Sequence, residues 1–582
     1  MRFGLFYEHQ LPRPWDADSE HRLLHEALEQ IEIADRVGFD YVWEVEHHFL
    51  EEYSHSSAPE VFLAAAAMRT RRIRLGHGIV QLPQQVNHPA RVAERVATLD
   101  LISDGRVEFG TGESSAAAEL GGFGVDREAK RAMWEDAIDA ITRMFVEEPF
   151  AGWDSPYLRM PPRNVVPKPL QRPHPPLWVA CSRRETIEFA ARRGIGALSF
   201  SFVEPEDAGE WVRRYYELIA SPECQPAGFA VNPNLAVVLP MMCHRDEQEA
   251  IERGIDGAHF FGYSLAHYFG IRPHLPGRTD VFDEFTEHRD ETGFARSIVA
   301  ADRAPLGIKL LQQGLGSLRG AIGTPDQIAD LVRRYEAVGV DQIGFVLQAG
   351  PNRHEHICES LELFGEMVLP AFAEAAERVE AEKHERLAGS MEAALARRPA
   401  PRQAPIAYRI DERAELERAR ARGAPRPGQL AALARDRARR ELRRGGQALL
   451  ERLVDGASDR QLERRFGSPL ALRAMFTAMA SSFEPRFAFG FRGDVTYELG
   501  LDENGATPAT WTITVSEGRA AARSGDSPDA AVRIRMGVAD FARVAAGELP
   551  PVRALLEGRT IIEGDLTVAG RLTEMFGGPS PY

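Results

Sequence analysis

Short apolar runs and amphipathic stretches alternate along the first two-thirds of the chain. Eight runs have the length and residue types of strands, at 2–7, 41–45, 73–80, 106–110, 177–181, 197–201, 235–242 and 342–347. Between them, apolar positions recur with a helical period at 21–37, 59–69, 89–102, 129–145, 185–193, 208–220 and 325–338. The last of these opens on Thr324-Pro325, a capping residue followed by proline at the first helical position. Alternation of this kind predicts parallel βαβ units, and eight of them in one domain predict a closed (β/α)8 TIM barrel. A doubly wound open sheet would usually carry a glycine fingerprint after its first strand. None follows Leu5-Phe6-Tyr7.

The spacing is uneven. Residues 243–341 separate the last two strands and contain aromatic clusters at 259–263 and 267–269 and a polar tract at 280–292. Such an insertion reads equally as a lid over the barrel mouth or as helices covering its flank. After residue 374 the character changes. The Pro/Arg-rich stretch 397–405 reads as a linker, and 409–444 as a solvated helical connector, because acidic residues interrupt its arginines. From 447 a helical stretch to 462 precedes alternating runs at 487–499, 511–515 and 531–536, with a turn signal at Asp502-Glu503-Asn504-Gly505. Helical pieces follow at 538–546 and 568–575, so this segment reads as α+β. The expected organisation is a barrel over 1–375, a linker over 376–446 and a small α+β domain over 447–582.

Composition narrows the function. At 582 residues the chain exceeds one core, and 44% apolar with 27% charged residues is ordinary for a soluble protein. A formal charge of −16 argues against a nucleic-acid partner. The four cysteines are far apart and form no CxxC pair, so a reducing, cytoplasmic setting is expected, with neither a disulfide framework nor a zinc site. Glu8 interrupts the amino terminus before any signal-peptide core can form, and no run approaches the 18 apolar residues of a membrane span.

Three segments at strand ends carry candidate chemistry. Strand 41–45 runs into Glu46-His47-His48. Titratable groups at the C-terminal ends of barrel strands are where this fold places catalysis, and histidine titrates near neutral pH. Without a third ligand at metal-binding spacing, a base or hydrogen-bond donor is better supported than a metal site. The second segment, 105–115, places Gly110, Gly112 and Glu113 after a strand, where glycines allow close backbone approach to a flat or phosphorylated ligand. In the third, 177–186, a strand passes through Ser182 into a helix whose free N–H groups favour an anion. Ser182 also reads as a plain N-cap.

Together these residues carry a resemblance. Residues 1 to about 375 resemble the bacterial-luciferase-like flavin monooxygenases. The matching pieces are the opening Met1-Arg2-Phe3-Gly4-Leu5-Phe6, the stretch Gly38 to Phe49 ending Glu-His-His-Phe, Leu75 to Pro83, and above all His88 to Arg106. Gly323-Thr324-Pro325-Asp326-Gln327 and Gly339 to Ile343 also fit. The resemblance implies a barrel that binds flavin at its C-terminal face. Reduced FMN from a separate reductase would react with O2 to a C4a-peroxyflavin, which oxidises an aldehyde, ketone or other carbon centre. It implies His47 as the catalytic residue, supported by Glu46 and His48. It maps a flavin-face contact and a non-prolyl cis peptide to Gly78-Ile79, and the phosphate side to Ser182 and Thr186, with Glu113 near the strand-four contact alongside Gly112.

Two departures stand out. Luciferases carry a cysteine and an arginine where this chain has Gly112-Glu113, so Arg183 or Arg184 is expected to supply the missing positive charge. They carry an acidic residue where this chain has Cys181. Light emission is therefore not implied. A deazaflavin-dependent dehydrogenase on the same barrel, and a non-catalytic scaffold that docks an active subunit, stay open. The last 110 or so residues resemble the sterol carrier protein 2 family, through Phe491-Arg492-Gly493, Trp511 to Val515, Ala546 to Leu549, Leu556 to Arg559 and Met575 to Gly578. That resemblance implies a lipid or acyl ligand in an apolar tunnel, or a docking module that kept only the fold. A small apolar substrate and assembly into a homo-oligomer complete the expectations.

Overall fold

The computed structural model describes residues 1–182, 184–199, 204–271, 274–289, 307–311, 314–411, 449–483, 488, 491–500, 509–516, 518–569 and 571–576. Arg183, most of the 409–444 connector and the turn signal at 502–505 lie outside the described residues. The chain forms two compact units, Met1–Tyr408 and Arg409–Tyr582.

The first unit is built on eight strands: β1 (Arg2–Tyr7), β2 (Tyr41–Glu44), β3 (Arg74–His77), β4 (Val107–Gly112), β5 (Leu177–Cys181), β6 (Gly196–Ser199), β7 (Leu235–Cys243) and β8 (Gln342–Val346). Each pairs in parallel with the next, and β8 pairs in parallel with β1, so the ring closes. Alternation along each strand sends one set of side chains inward. Trp43 and Trp178 meet edge-to-face at 5.2 Å. Each lies across a glycine on a neighbouring strand. A Cβ on Gly76 would sit 2.2 Å from the Trp43 ring, and one on Gly196 would sit 2.6 Å from that of Trp178.

The outward set packs on helices. Phe3 and Phe345 meet Phe364 on α11 (His354–Met367), and Phe3 also meets Phe372 on α12 (Pro370–Ala396), with ring centroids 5.1–5.7 Å apart. The other helices are α1 (Ser19–Val37), α2 (Pro59–Arg69), α3 (Pro89–Ile102), α4 (Ala117–Phe123), α5 (Lys130–Val146), α6 (Arg184–Arg192), α7 (Pro205–Ile219), α8 (Glu247–Ala266), α9 (Val281–His288) and α10 (Pro325–Ala337). The Thr324 cap is present as a full capping box with Gln327.

Three features differ from the sequence pattern. The run at 73–80 is broken. Leu75 and Gly76 face Val107 and Glu108, whereas Val80 and Gln81 face Thr111 and Gly112. Four steps on one strand (76 to 80) oppose three on the other (108 to 111), which is a bulge. The first unit also takes in residues 376–408, which composition places in the linker. There α12 buries Leu387 and Ala394, and Lys383 Nζ reaches Asp341 Oδ1 at 2.8 Å. Finally, the described part of the long insertion is largely helical. Helix α8 packs along β7, and its end continues as a π-helix, His267–Ile271, whose aromatics reach the barrel mouth.

The second unit is a five-stranded sheet with β9 (Gly493–Leu499), β10 (Ala509–Ser516), β11 (Arg519–Ser524), β12 (Val532–Met536) and β13 (Thr560–Gly564), in the order β11-β10-β9-β12-β13. Only β9 and β12 run parallel. Phe476 on the helix Pro469–Ser481 stacks against Trp511 at 5.1 Å and Phe541 at 5.0 Å, with Tyr497 edge-on. The helical stretch expected to run to 462 is interrupted at Gly456, where φ is +63°, and resumes as Asp459–Phe466. Among the described residues, no helix is long and apolar enough to cross a membrane.

Candidate active site

The C-terminal ends of β1, β2 and β4 converge on His47. Along β1 the inward positions run Arg2, Gly4, Phe6, and the same period aims Glu8 into the mouth just past the strand end. From the turn after β4, α4 brings Glu119 in from the other side. The His47 ring lies between these two carboxylates. Its Nδ1 donates to Glu119 Oε1 at 2.9 Å, and its Nε2 stands 3.6 Å from Glu8 Oε2. Each glutamate is 1% exposed and His47 itself 17%. Tyr53 and Phe269 pack edge-on against the imidazole at 5.6 and 6.0 Å.

Glu119 is the hub. Besides His47 it accepts from the His48 N–H at 2.9 Å, Gln81 Nε2 at 2.7 Å and Ser114 Oγ at 2.5 Å. Burial pushes its carboxyl up, but the His47 cation and these donors outweigh that and hold it below the usual carboxylate range. Burial likewise works against a charge on His47. The neighbouring Glu119 and Glu8 win, raising it to about 9. Glu8 has fewer donors, among the described residues only the Tyr53 hydroxyl at 2.9 Å, so burial dominates and its carboxyl rises to about 7 in spite of His47.

His48 does not share this pocket. Its Nε2 meets Glu46 Oε1 at 3.1 Å, and Glu46 is clamped by the Gln81 N–H at 2.7 Å and Asn87 Nδ2 at 2.8 Å. The bulge in strand three presents the Gln81 N–H to that carboxylate. Glu46 and His48 thus pair with each other beside the pocket, while His47 pairs with Glu119 and faces Glu8. The backbone around them is strained. His9, Phe49, Glu51 and Ser114 have φ of +53°, +64°, +31° and +60°, a region non-glycine residues rarely enter.

Gly78, Ile79 and Gly112 lie side by side under the mouth. A Cβ on Gly112 would sit 2.5 Å from Ile79 Cδ1, so the missing side chain lets Ile79 lie across strand four. The cis peptide expected at Gly78-Ile79 is absent, since all cis bonds among the described residues precede proline. The Gly78 N–H, one peptide earlier, donates to Glu44 O at 2.6 Å.

In the segment expected to meet a phosphate, Ser182 and Thr186 stand at the start of α6, with Thr186 hydrogen-bonded to Cys181. Arg184 does not supply the missing cation. Its guanidinium pairs with Glu210 at 2.8 Å and Glu188 at 3.6 Å along the helix flank. The positive charge near Cys181 is Arg131 of α5, which meets Glu113 at 3.1 Å and lies 4.6 Å over Phe189. Lys130 approaches Glu113 to 3.7 Å.

Sequence reasoning missed Glu8, Glu119, Gln81 and Arg131. Glu8 had a usable signal, since it ends a barrel strand at an inward position. Glu119 on α4 and Arg131 on α5 lie beyond β4 with no motif of their own.

Residues 1–342 match the family model of the luciferase-like monooxygenases, and residues 493–577 match that of the SCP-2 sterol transfer family. The chain is 25% identical over 380 residues to the oxygenase component of a flavin-dependent trigonelline monooxygenase of Acinetobacter baylyi, covering 64% of this chain and 96% of that one. It is 42% identical over 137 residues to a limonene 1,2-monooxygenase of Rhodococcus erythropolis, covering 23% and 35%. Among solved structures, the monooxygenase RslO1 of Streptomyces bottropensis superimposes with a TM-score of 0.50 at 26% identity, covering 64% of this chain and all of the other.

Proposed function

Because the match spans 342 of 582 residues, the chain belongs to the luciferase-like monooxygenase family, and on that premise we propose that it oxidises a small apolar organic substrate with reduced FMN and O2. The observation that carries this reading is the His47 imidazole, held between two buried carboxylates at the barrel mouth. Reduced FMN, when bound, supplies two electrons to O2 and so activates it for attack on carbon.

The residues present fit such a group. Arg131, 37% exposed, with the hydroxyls of Ser182 and Thr186, is a donor set for a phosphate. Buried Ile79 offers an apolar surface to a flat ring. Glu119 fixes the Nδ1–H tautomer of His47 and leaves Nε2 to hold or release a proton beside the ring. Tyr53, Phe269 and the π-helix keep water from that nitrogen. A separate reductase is the proposed partner, in keeping with the trigonelline relative named as an oxygenase component. The C-terminal domain is proposed to hold or present an apolar ligand, an assignment supported by its SCP-2 match.

Anaerobic titration of the full chain with reduced FMN, and in parallel with a reduced deazaflavin, tests the cofactor. Reduced FMN is expected to bind more tightly. Admitting O2 with a terpene, an apolar ketone or an aldehyde is expected to give a product carrying one added oxygen by mass spectrometry. Preferential deazaflavin binding with hydride transfer and no O2 uptake would replace this reading. Arg131→Ala is expected to weaken FMN about tenfold, the loss of one charge-assisted hydrogen bond. It should leave riboflavin, which has no phosphate, unchanged. Equal losses for both ligands would remove Arg131 from the phosphate site.

A further inference from the structure

Glu8 is buried, charged in part at neutral pH, and unexplained by packing. Its Oε1 accepts the Tyr53 hydroxyl, but among the described residues Oε2 has no hydrogen-bond partner, and it is buried. A buried carboxylate oxygen without a donor is costly, so such atoms are rare unless they do something. This one stands 3.6 Å from His47 Nε2, the ring nitrogen that Glu119 does not hold. The gap is about half an ångström longer than a hydrogen bond. Catalytic contacts of this kind often tighten only when the site is filled.

Resting on the reading of His47 as the catalytic histidine, we propose that Glu8 is its positioning residue. Glu119 holds the ring from Nδ1, and the Glu8 carboxylate stands 3.6 Å from the other nitrogen. While Glu8 is ionised it favours the imidazolium and orients the Nε2–H. When Glu8 takes up a proton an O–H bond forms on the carboxylate, its charge is lost and Nε2 releases its own proton more readily. One proton is bound at Glu8 and no electrons move.

The other groups around the pair do not fill this role. Glu44 is engaged by the Ser56 hydroxyl and faces His9 at 3.0 Å, Glu46 is braced by Gln81, Asn87 and His48, and Glu119 is saturated by four donors. Tyr53 already gives its proton to Glu8, and burial pushes that hydroxyl well above its ordinary value. Glu8 therefore remains as the carboxylate beside Nε2 whose charge changes near neutrality.

The test is read first without turnover. In full-length, cofactor-free protein carrying 13C-labelled histidine, the His47 resonance is assigned by its loss in His47→Ala and followed against pH. Wild type is expected to titrate near 9. Glu8→Gln keeps the shape and the Tyr53 contact but removes the charge, and should lower that midpoint by about one unit or more. Tyr53→Phe, which withdraws a donor from Glu8, serves if Glu8→Gln does not fold, and is expected to move Glu8 upward. In turnover, the limb of the pH–rate profile near 7 should vanish in Glu8→Gln and return, displaced, in Glu8→Asp. An unmoved His47 midpoint in both variants, or a rate limb indifferent to Glu8, overturns the proposal. A moved midpoint in a chain that takes up no O2 with reduced FMN supports the pair and overturns the flavin reading instead.

Discussion

His47→Ala is expected to lower product formation by about 10²- to 10⁴-fold, the range that one positioned acid–base group contributes. The loss should fall on kcat, since the imidazole contributes little area to substrate binding. Product yield per reduced flavin consumed is the measurement. A yield within threefold of wild type would take His47 out of the chemistry. The same change has a structural price. It leaves Glu8 and Glu119, each 1% exposed, without the cation between them, and breaking a buried charge pair in this way costs about 3 kcal/mol.

That loss depends on pH in a defined direction. His47 is raised from its ordinary 6.5 to about 9, so its contribution to stability is complete below 6.5 and disappears as pH climbs through 9. Glu8 is raised from 4.5 to about 7, so the fold also favours its protonated form and loses that advantage between those values. The difference in melting temperature between wild type and His47→Ala is therefore expected to be large near pH 6 and to shrink toward pH 9. A difference that grows with pH would contradict the carboxylate–imidazole–carboxylate arrangement.

Gly110→Ala is expected to destabilise the barrel by about 3 kcal/mol, at the upper end of ordinary overpacking. A Cβ there would meet the His77 carbonyl oxygen at 1.9 Å, and a backbone atom cannot swing aside as a side chain can. Pushing β3 from β4 also displaces the bulge that aims the Gln81 N–H at Glu46 and Gln81 Nε2 at Glu119. A lower urea midpoint at unchanged slope is the expected readout, together with weakened flavin binding. Gly389→Ala on α12, where nothing lies within 4 Å of the new methyl, is the control and is expected to stabilise by up to about 1 kcal/mol. Equal behaviour of the two variants would mean that the β3–β4 contact yields freely.

The eight strands were legible because period-two and helical patterns alternate, and those periods follow from backbone geometry alone. The Glu46-His47-His48 segment was legible because it ends one of those strands. Which histidine does what was not, since the strand stops at Glu44 and the turn beyond it directs His47 toward Glu8 and Glu119 but His48 toward Glu46. Glu119 lies 72 residues from His47, and Arg131 reaches Glu113 and Cys181 from a separate helix. Neither residue type is unusual where it stands, and only closure of the ring brings each to the mouth.

Strand three makes the same point at the backbone. Its composition reads as one continuous strand, yet the close approach of Gly110 to His77 and the packing of Ile79 over Gly112 force a one-residue bulge. Local sequence determined the elements, their order and the chemistry available at their ends. The tertiary structure decided charge and protonation, because these depend on burial and on partners distant in the chain, which no local pattern encodes.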